Sequence, residues 1–292
     1  MLIFTLLSLL LPLHSNELKK LKEDLFWLNK VYGKEQYDIV LVGDSRTYKG
    51  ISPEILEKYC KSYSVFNFGF SSGRINRQLL LEAYKKLKPN GARIFVFSCT
   101  PIDLINVKND HWFDLYKELA SLNKWPAQLY NLKLKLVPWQ ERKKLIKAKY
   151  NFSNYWEMYH KKSGWCACWQ KDIFYESTFK SYKEQFAKRS FRKTDLHDFL
   201  GNLKWCKENN INVIAFRMIS CPEMDILEDR LSGCNFVDVK NAVLQQGGIW
   251  LERPNHLQFR SYDASHLDYQ SAEKFSNWLG KKLKKILFKI EK

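Results

Sequence analysis

Glycine and proline are scarce, at 12 and 8 of 292 residues, which excludes a collagen-like repeat or a low-complexity linker. No repeat of fixed period is visible. No two cysteines stand at C-x-x-C spacing, and Cys166-Ala167-Cys168 lacks a second pair or a histidine at finger spacing, so no structural zinc is expected. His14, His111, His160, His197 and His256 are scattered without ligand spacing, which sets aside a metal centre, and nothing calls for any other cofactor. Acidic residues are the minority charge, 31 Asp and Glu against 48 Lys and Arg, and the chain carries +17. Such an excess favours anionic partners: nucleic acid, phosphorylated glycan or a lipid headgroup surface. No nucleic-acid-binding signature accompanies it, so nucleic acid ranks last.

What is present is ordinary for a globular chain. Hydrophobic residues at 45% and charged residues at 27% exclude disorder, and the length is ample for a real core. The seven cysteines, Cys60, Cys99, Cys166, Cys168, Cys206, Cys221 and Cys234, are packed as small hydrophobes by default, though Cys221 and Cys234 would suit a loop-closing bridge in an oxidising compartment. Residues 1–13 form an uncharged apolar run. As a helix it would reach roughly 20 Å, short of the ~30 Å bilayer core and suited to a signal-peptide hydrophobic region. No basic residue precedes it, and Lys19, Lys20 and Lys22 follow it. Export or envelope anchoring is the expectation; a buried N-terminal helix of a cytoplasmic protein is the alternative.

Residues 37–42 read as a buried strand ended by Gly43. Ser52 and Pro53 open a helix to about Tyr59. Residues 65–68 are a second strand, 76–88 a helix stopped by Pro89-Asn90-Gly91, and 92–97 a third strand. Near the C-terminus come a helix ending at Asn209-Asn210, a strand over 211–219, a fifth strand over 235–239, and a long basic amphipathic helix over 271–289. Its basic face is read first as solvated, and second as contacting a membrane surface. This alternation implies an α/β three-layer sandwich with a mainly parallel sheet. It disappears between Asp103 and about Arg192, where six of the ten tryptophans lie. The expected organisation is a signal- or anchor-like segment (1–15), a first core part (16–103), an inserted, α-rich, aromatic subdomain (104–192) and a second core part (193–292).

Three places carry chemistry. Gly43-Asp44-Ser45-Arg46 follows the first strand, at the sheet edge where ligands bind in parallel α/β folds. A serine there exposes Oγ beside a backbone N–H that can face an oxyanion. Phe68-Gly69-Phe70-Ser71-Ser72-Gly73 follows the second strand, where a glycine permits close backbone approach and supplies another donor. Asp263-Ala264-Ser265-His266 precedes the last helix, and an aspartate three residues before a histidine can orient it as a base for Ser45.

In this order the three blocks resemble the SGNH, or GDSL-type, hydrolase superfamily, over residues 37–104 and 195–288. The resemblance implies a flavodoxin-like sandwich in which Ser45 is the nucleophile, His266 the general base and Asp263 its partner. The N–H groups of Ser45 and Gly73 would be oxyanion donors, with Gly69 the second choice. Two departures stand out. The family's third block supplies an oxyanion Asn, where this chain has Phe97-Ser98-Cys99-Thr100-Pro101-Ile102-Asp103, leaving the Ser98 and Thr100 hydroxyls as candidates. Arg46 replaces the usual Leu, and a cation there would suit an acidic substrate. Both departures resemble the branch that moves acyl groups on envelope polymers. The expected activity is therefore ester hydrolysis, or O-acyl transfer, on an acylated glycan or small ester. The alternative is a catalytically weak or inactive protein of this fold that binds a polysaccharide or an assembly partner.

Overall fold

A computed structural model of the chain describes residues 15–105, 112–122, 156–171, 173 and 175–290. The apolar run expected to be a signal or anchor, and residues 106–111 and 123–155 of the expected insertion, lie outside the described residues. Among the described residues no helix is long and apolar enough to cross a membrane.

The elements are α1 (Ser15–Tyr32), β1 (Ile39–Gly43), α2 (Ser45–Gly50), α3 (Pro53–Tyr59), β2 (Val65–Asn67), α4 (Arg77–Tyr84), β3 (Ile94–Cys99) and α5 (Pro101–Leu104). After them come α6 (Trp112–Leu122), β4 (Trp156–His160), β5 (Cys166–Gln170), α7 (Glu176–Lys188) and α8 (Lys193–Glu208). The chain continues through β6 (Asn212–Arg217), α9 (Pro222–Leu231), α10 (Phe236–Gln245), β7 (Ile249–Trp250) and α11 (Tyr269–Ile290). Five strands form one sheet in the order β2-β1-β3-β6-β7, with every pairing parallel. The fold is thus the α/β sandwich expected from the alternation.

Strand periodicity builds the two cores. Val40 and Val42 of β1 point into one cluster, with Leu79, Leu80 and Ala83 of α4 and Phe199 and Leu203 of α8. Ile39 and Leu41 point into the other, with Leu56 of α3 and Phe275, Leu279 and Leu283 of α11. Residues two apart share a face of a strand, so a run apolar at every position is buried on both sides. The sheet order reverses between β1 and β3. This leaves a crevice at their carboxyl ends, the usual ligand site of such sheets.

Two expectations are corrected. Residues 235–239 are not a strand. The Asn235 side chain accepts the Val237 N–H and caps α10, whose Val239, Ala242 and Val243 face the core at helical spacing. The fifth strand is instead β7, two residues long. The described part of the insertion is also not purely helical, since β4 and β5 form an antiparallel hairpin. Nor does that part fold on a core of its own. Phe113 of α6 joins the first cluster, and Trp165 and Ala167 beside and on β5 join the second. The Trp165 indole N–H donates to the Lys49 carbonyl of α2 at 2.9 Å. All seven cysteines are buried free thiols, Cys221 and Cys234 included.

Candidate active site

Ser45 sits where β1 turns into α2. Gly43 is required for space, because a Cβ there would lie 2.2 Å from Thr47 Oγ1 and 2.9 Å from the Ser98 carbonyl. Asp44 caps the helix: its Oδ1 accepts the Arg46 N–H at 2.8 Å. Its Oδ2 accepts the Thr100 hydroxyl at 2.9 Å. Thr100 in turn opens α5, with Asp103 Oδ1 accepting the Thr100 N–H at 2.8 Å. One carboxylate therefore ties the ends of β1 and β3 together under the serine. Burial, reinforced by the neighbouring Asp44 charge, pushes the Asp103 carboxyl well above the usual range.

The structure brings Ser45, His266 and Asp263 together. Ser45 Oγ and His266 Nε2 are 2.7 Å apart, and His266 Nδ1 and Asp263 Oδ2 are also 2.7 Å apart. With Nδ1–H donating to the carboxylate, the Nε2 lone pair is left to accept the serine proton. The loop holding the pair is built by Asp263 itself, whose Oδ1 accepts the backbone N–H groups of Ser265 (3.1 Å) and His266 (2.8 Å). Ala264 takes a left-handed φ of 69° within this turn. That conformation costs about 1–2 kcal/mol for a residue with a Cβ, and the donors around Asp263 hold it. Burial alone would raise Asp263, but the His266 imidazole and its hydrogen bonds outweigh this and hold it far below the usual carboxylate range. Burial lowers the His266 pKa; Asp263 opposes the shift and Lys49 adds to it. The imidazole is therefore a free base at neutral pH.

The other predicted residues are differently employed. The Gly73 N–H donates to the Phe70 carbonyl at 3.0 Å, and the Gly69 N–H to Asn67 Oδ1 at 3.1 Å, so neither amide is presented to a substrate. Both glycines serve close approach instead. A Cβ on Gly73 would lie 2.7 Å from the Gly43 carbonyl, and one on Gly69 2.7 Å from Thr47 Cβ and the Tyr48 nitrogen. They press against the turn that carries Ser45. The Thr100 hydroxyl is spent on Asp44, while Ser98 Oγ is buried with no hydrogen-bond partner among the described residues. Ser45, at the first position of α2, is among the N–H groups that have no acceptor within their own helix.

Arg46 is not the exposed cation expected. It is 1% exposed, its Nη2 lies 2.5 Å from the equally buried Glu228 Oε1 of α9, and it donates to the Tyr182 hydroxyl of α7 at 3.0 Å. Burial alone would lower the guanidinium pKa, and Glu228 outweighs it, keeping the group charged. The cation that reasoning from sequence missed is Lys49, four residues after Ser45 and half-buried. Its Nζ lies 5.6 Å from the Tyr48 ring centre and 5.9 Å from that of Tyr262, next to Asp263. Its position one helical turn from the serine was legible in the spacing. Glu228 and Tyr182 had no local signal. Behind the site Lys30 of α1 is fully buried, donating to the Gly69 carbonyl at 2.5 Å among the rings of Phe26, Trp27, Tyr48 and Phe70. Burial lowers its pKa well below that of a free lysine. Among the described residues no cluster of His, Cys, Asp and Glu is arranged to hold a metal ion.

No protein-family model matches the chain, and no curated protein matches it in sequence. Among solved structures it is similar to a Streptococcus pneumonia protein provisionally described as a platelet activating factor. The identity is 12%, the TM-score 0.38, and the match covers 92% of this chain and 93% of that one. It is also similar to a carbohydrate acetylesterase family member from Sinorhizobium meliloti, at 10% identity and a TM-score of 0.36, over 86% of this chain and all but 1% of the other, which is 99% covered.

Proposed function

We propose that the chain is a serine esterase or O-acyltransferase of SGNH type, acting on an acylated, glycan-type substrate. The observation that carries this reading is the continuous 2.7 Å relay from Ser45 Oγ through His266 to Asp263, set at the carboxyl edge of a parallel sheet. In the first half-reaction Ser45 Oγ attacks the acyl carbonyl carbon as its proton passes to His266 Nε2. The C–O bond to the leaving alcohol then breaks, and His266 returns the proton to the departing oxygen. Water or a sugar hydroxyl next attacks the acyl-Ser45 ester, giving its proton to Nε2, and the acyl group leaves while Ser45 recovers its hydrogen. Asp263 keeps Nδ1 protonated and stabilises the imidazolium throughout. The Ser45 N–H is the oxyanion donor best placed by the fold.

A second reading, a non-catalytic protein of this architecture, is favoured by one observation: both glycine amides are internally bonded. Losing an oxyanion donor costs about 10² to 10³ in turnover, which lowers activity without removing the nucleophile. The two readings separate on labelling with a fluorophosphonate probe. The enzyme reading expects one adduct, on Ser45, absent in Ser45→Ala. Folded protein that shows no Ser45-dependent adduct would leave the non-catalytic reading standing.

A further inference from the structure

The feature of this surface that the triad leaves unused is a groove between the end of α3 and the last turns of α11. Its volume is about 940 Å³, within the range of pockets that take small ligands or chain segments. One wall carries Lys58 and Lys61, the other Lys281, Lys284 and Lys285, and no acidic residue lines it among the described residues. All five lysines are exposed, and none forms an ion pair with an acidic side chain among the described residues. The half-buried Tyr59 and Tyr63 and the 60% exposed Phe288 also line it. The two helices can approach because α11 has Gly280 against the Tyr59 ring, where a Cβ would lie 2.5 Å from the ring carbon. The groove is far from Ser45. Tyr59–Tyr63 lead into the amino end of β2, and α11 runs from beside His266 to the opposite edge, about 33 Å at 1.5 Å per residue.

We infer that this groove binds a segment of acidic polysaccharide, as a site separate from the triad and independent of its chemistry. Five unpaired cations around a concave surface select an anion. On α11 Lys281 stands one helical turn before the adjacent Lys284 and Lys285, a rise of about 5 Å that suits a polymer with one anionic group per sugar. The exposed Phe288 ring suits the apolar face of a sugar ring. A membrane surface fits less well. The apolar stripe of α11, with Phe275, Leu279, Leu283 and Leu287, is buried against the sheet, and among the described side chains of α11 Phe288 is the exposed large apolar one.

The test is isothermal titration of the full chain with a polygalacturonate oligomer, with dextran of equal length as the neutral control. Expected are binding to polygalacturonate alone, at least a tenfold loss between 50 and 300 mM salt (about one order of magnitude for several contacts), and at least a tenfold loss in Lys281→Glu/Lys285→Glu. Phe288→Ala should weaken binding several-fold. Fluorophosphonate labelling of Ser45 should not change in either variant, so that failure of this site and failure of the catalytic reading are told apart. The inference is overturned by absence of binding, by binding that survives the charge reversal, or by tighter binding of phosphatidylserine vesicles or a single-stranded oligonucleotide.

Discussion

Replacing Glu228 by leucine removes the carboxylate that faces Arg46 while filling most of its volume. Both side chains are 1% exposed, so the guanidinium would remain charged and dry, with the Tyr182 hydroxyl as its surviving direct partner at 3.0 Å. Its Nε and Nη1 already lack hydrogen-bond partners among the described residues. Breaking a buried pair on one side costs about 3–5 kcal/mol, whereas replacing both members with apolar residues is commonly neutral or stabilising. At about 2.1 cal/mol/K per residue, the unfolding entropy of a chain this long is roughly 0.6 kcal/mol/K, so Glu228→Leu should lower Tm by about 5–8 °C. Arg46→Met should cost less, because Arg217 Nη2 lies 3.7 Å from the Glu228 Oε2 left behind. The double variant Arg46→Met/Glu228→Leu should return to within about 2 °C of wild type. Differential scanning calorimetry measures all three, and fluorophosphonate labelling of the double variant asks whether Arg46 touches substrate. A Glu228→Leu shift below about 2 °C, or a double variant as unstable as that single one, would refute the buried-pair reasoning. Loss of labelling in a stable double variant would restore Arg46 to the site.

Two further outcomes follow from the geometry. Because burial lowers the His266 pKa and only the neutral imidazole accepts the serine proton, the labelling rate should fall as pH drops, with its midpoint below the ordinary histidine value of about 6.5; a midpoint at or above that value contradicts the assignment. Gly73→Ala places a Cβ 2.7 Å from the Gly43 carbonyl and 2.9 Å from that of Phe70, both backbone atoms. It should cost about 1–3 kcal/mol and slow Ser45 labelling, and a wild-type Tm would show that the loop yields freely.

Much of the architecture was legible because it is written in short-range pattern. The apolar run of β1, the Asn76 cap of α4 and Pro53 at the start of α3 each mark an element through contacts within a few residues. Residues 235–239 misled for the same reason. Phe236, Val237 and Val239 have β-forming side chains, and the deciding factor is the fit of Val239, Ala242 and Val243 against the sheet, which no window of five residues contains. The hairpin of β4 and β5 was hidden within a segment expected to be α-rich. Of the site, the order of the Ser45, Asp263 and His266 blocks was readable, and Asp263 and His266 are joined by a loop that Asp263 builds from its own sequence neighbours.

The sequence by itself determined which side chains carry the chemistry and at which sheet edge they emerge, since strand period, caps and tight turns are local. Only the tertiary structure decided what those side chains face. Ser45 meets His266 across 221 positions and Arg46 meets Glu228 across 182. The first contact completes a relay. The second converts an apparent substrate cation into a buried structural ion. The amides of Gly69 and Gly73 were likewise reassigned by loop closure, which spends them inside the turn. A charge or a donor is defined by its partner, and partners this distant in sequence are chosen by packing.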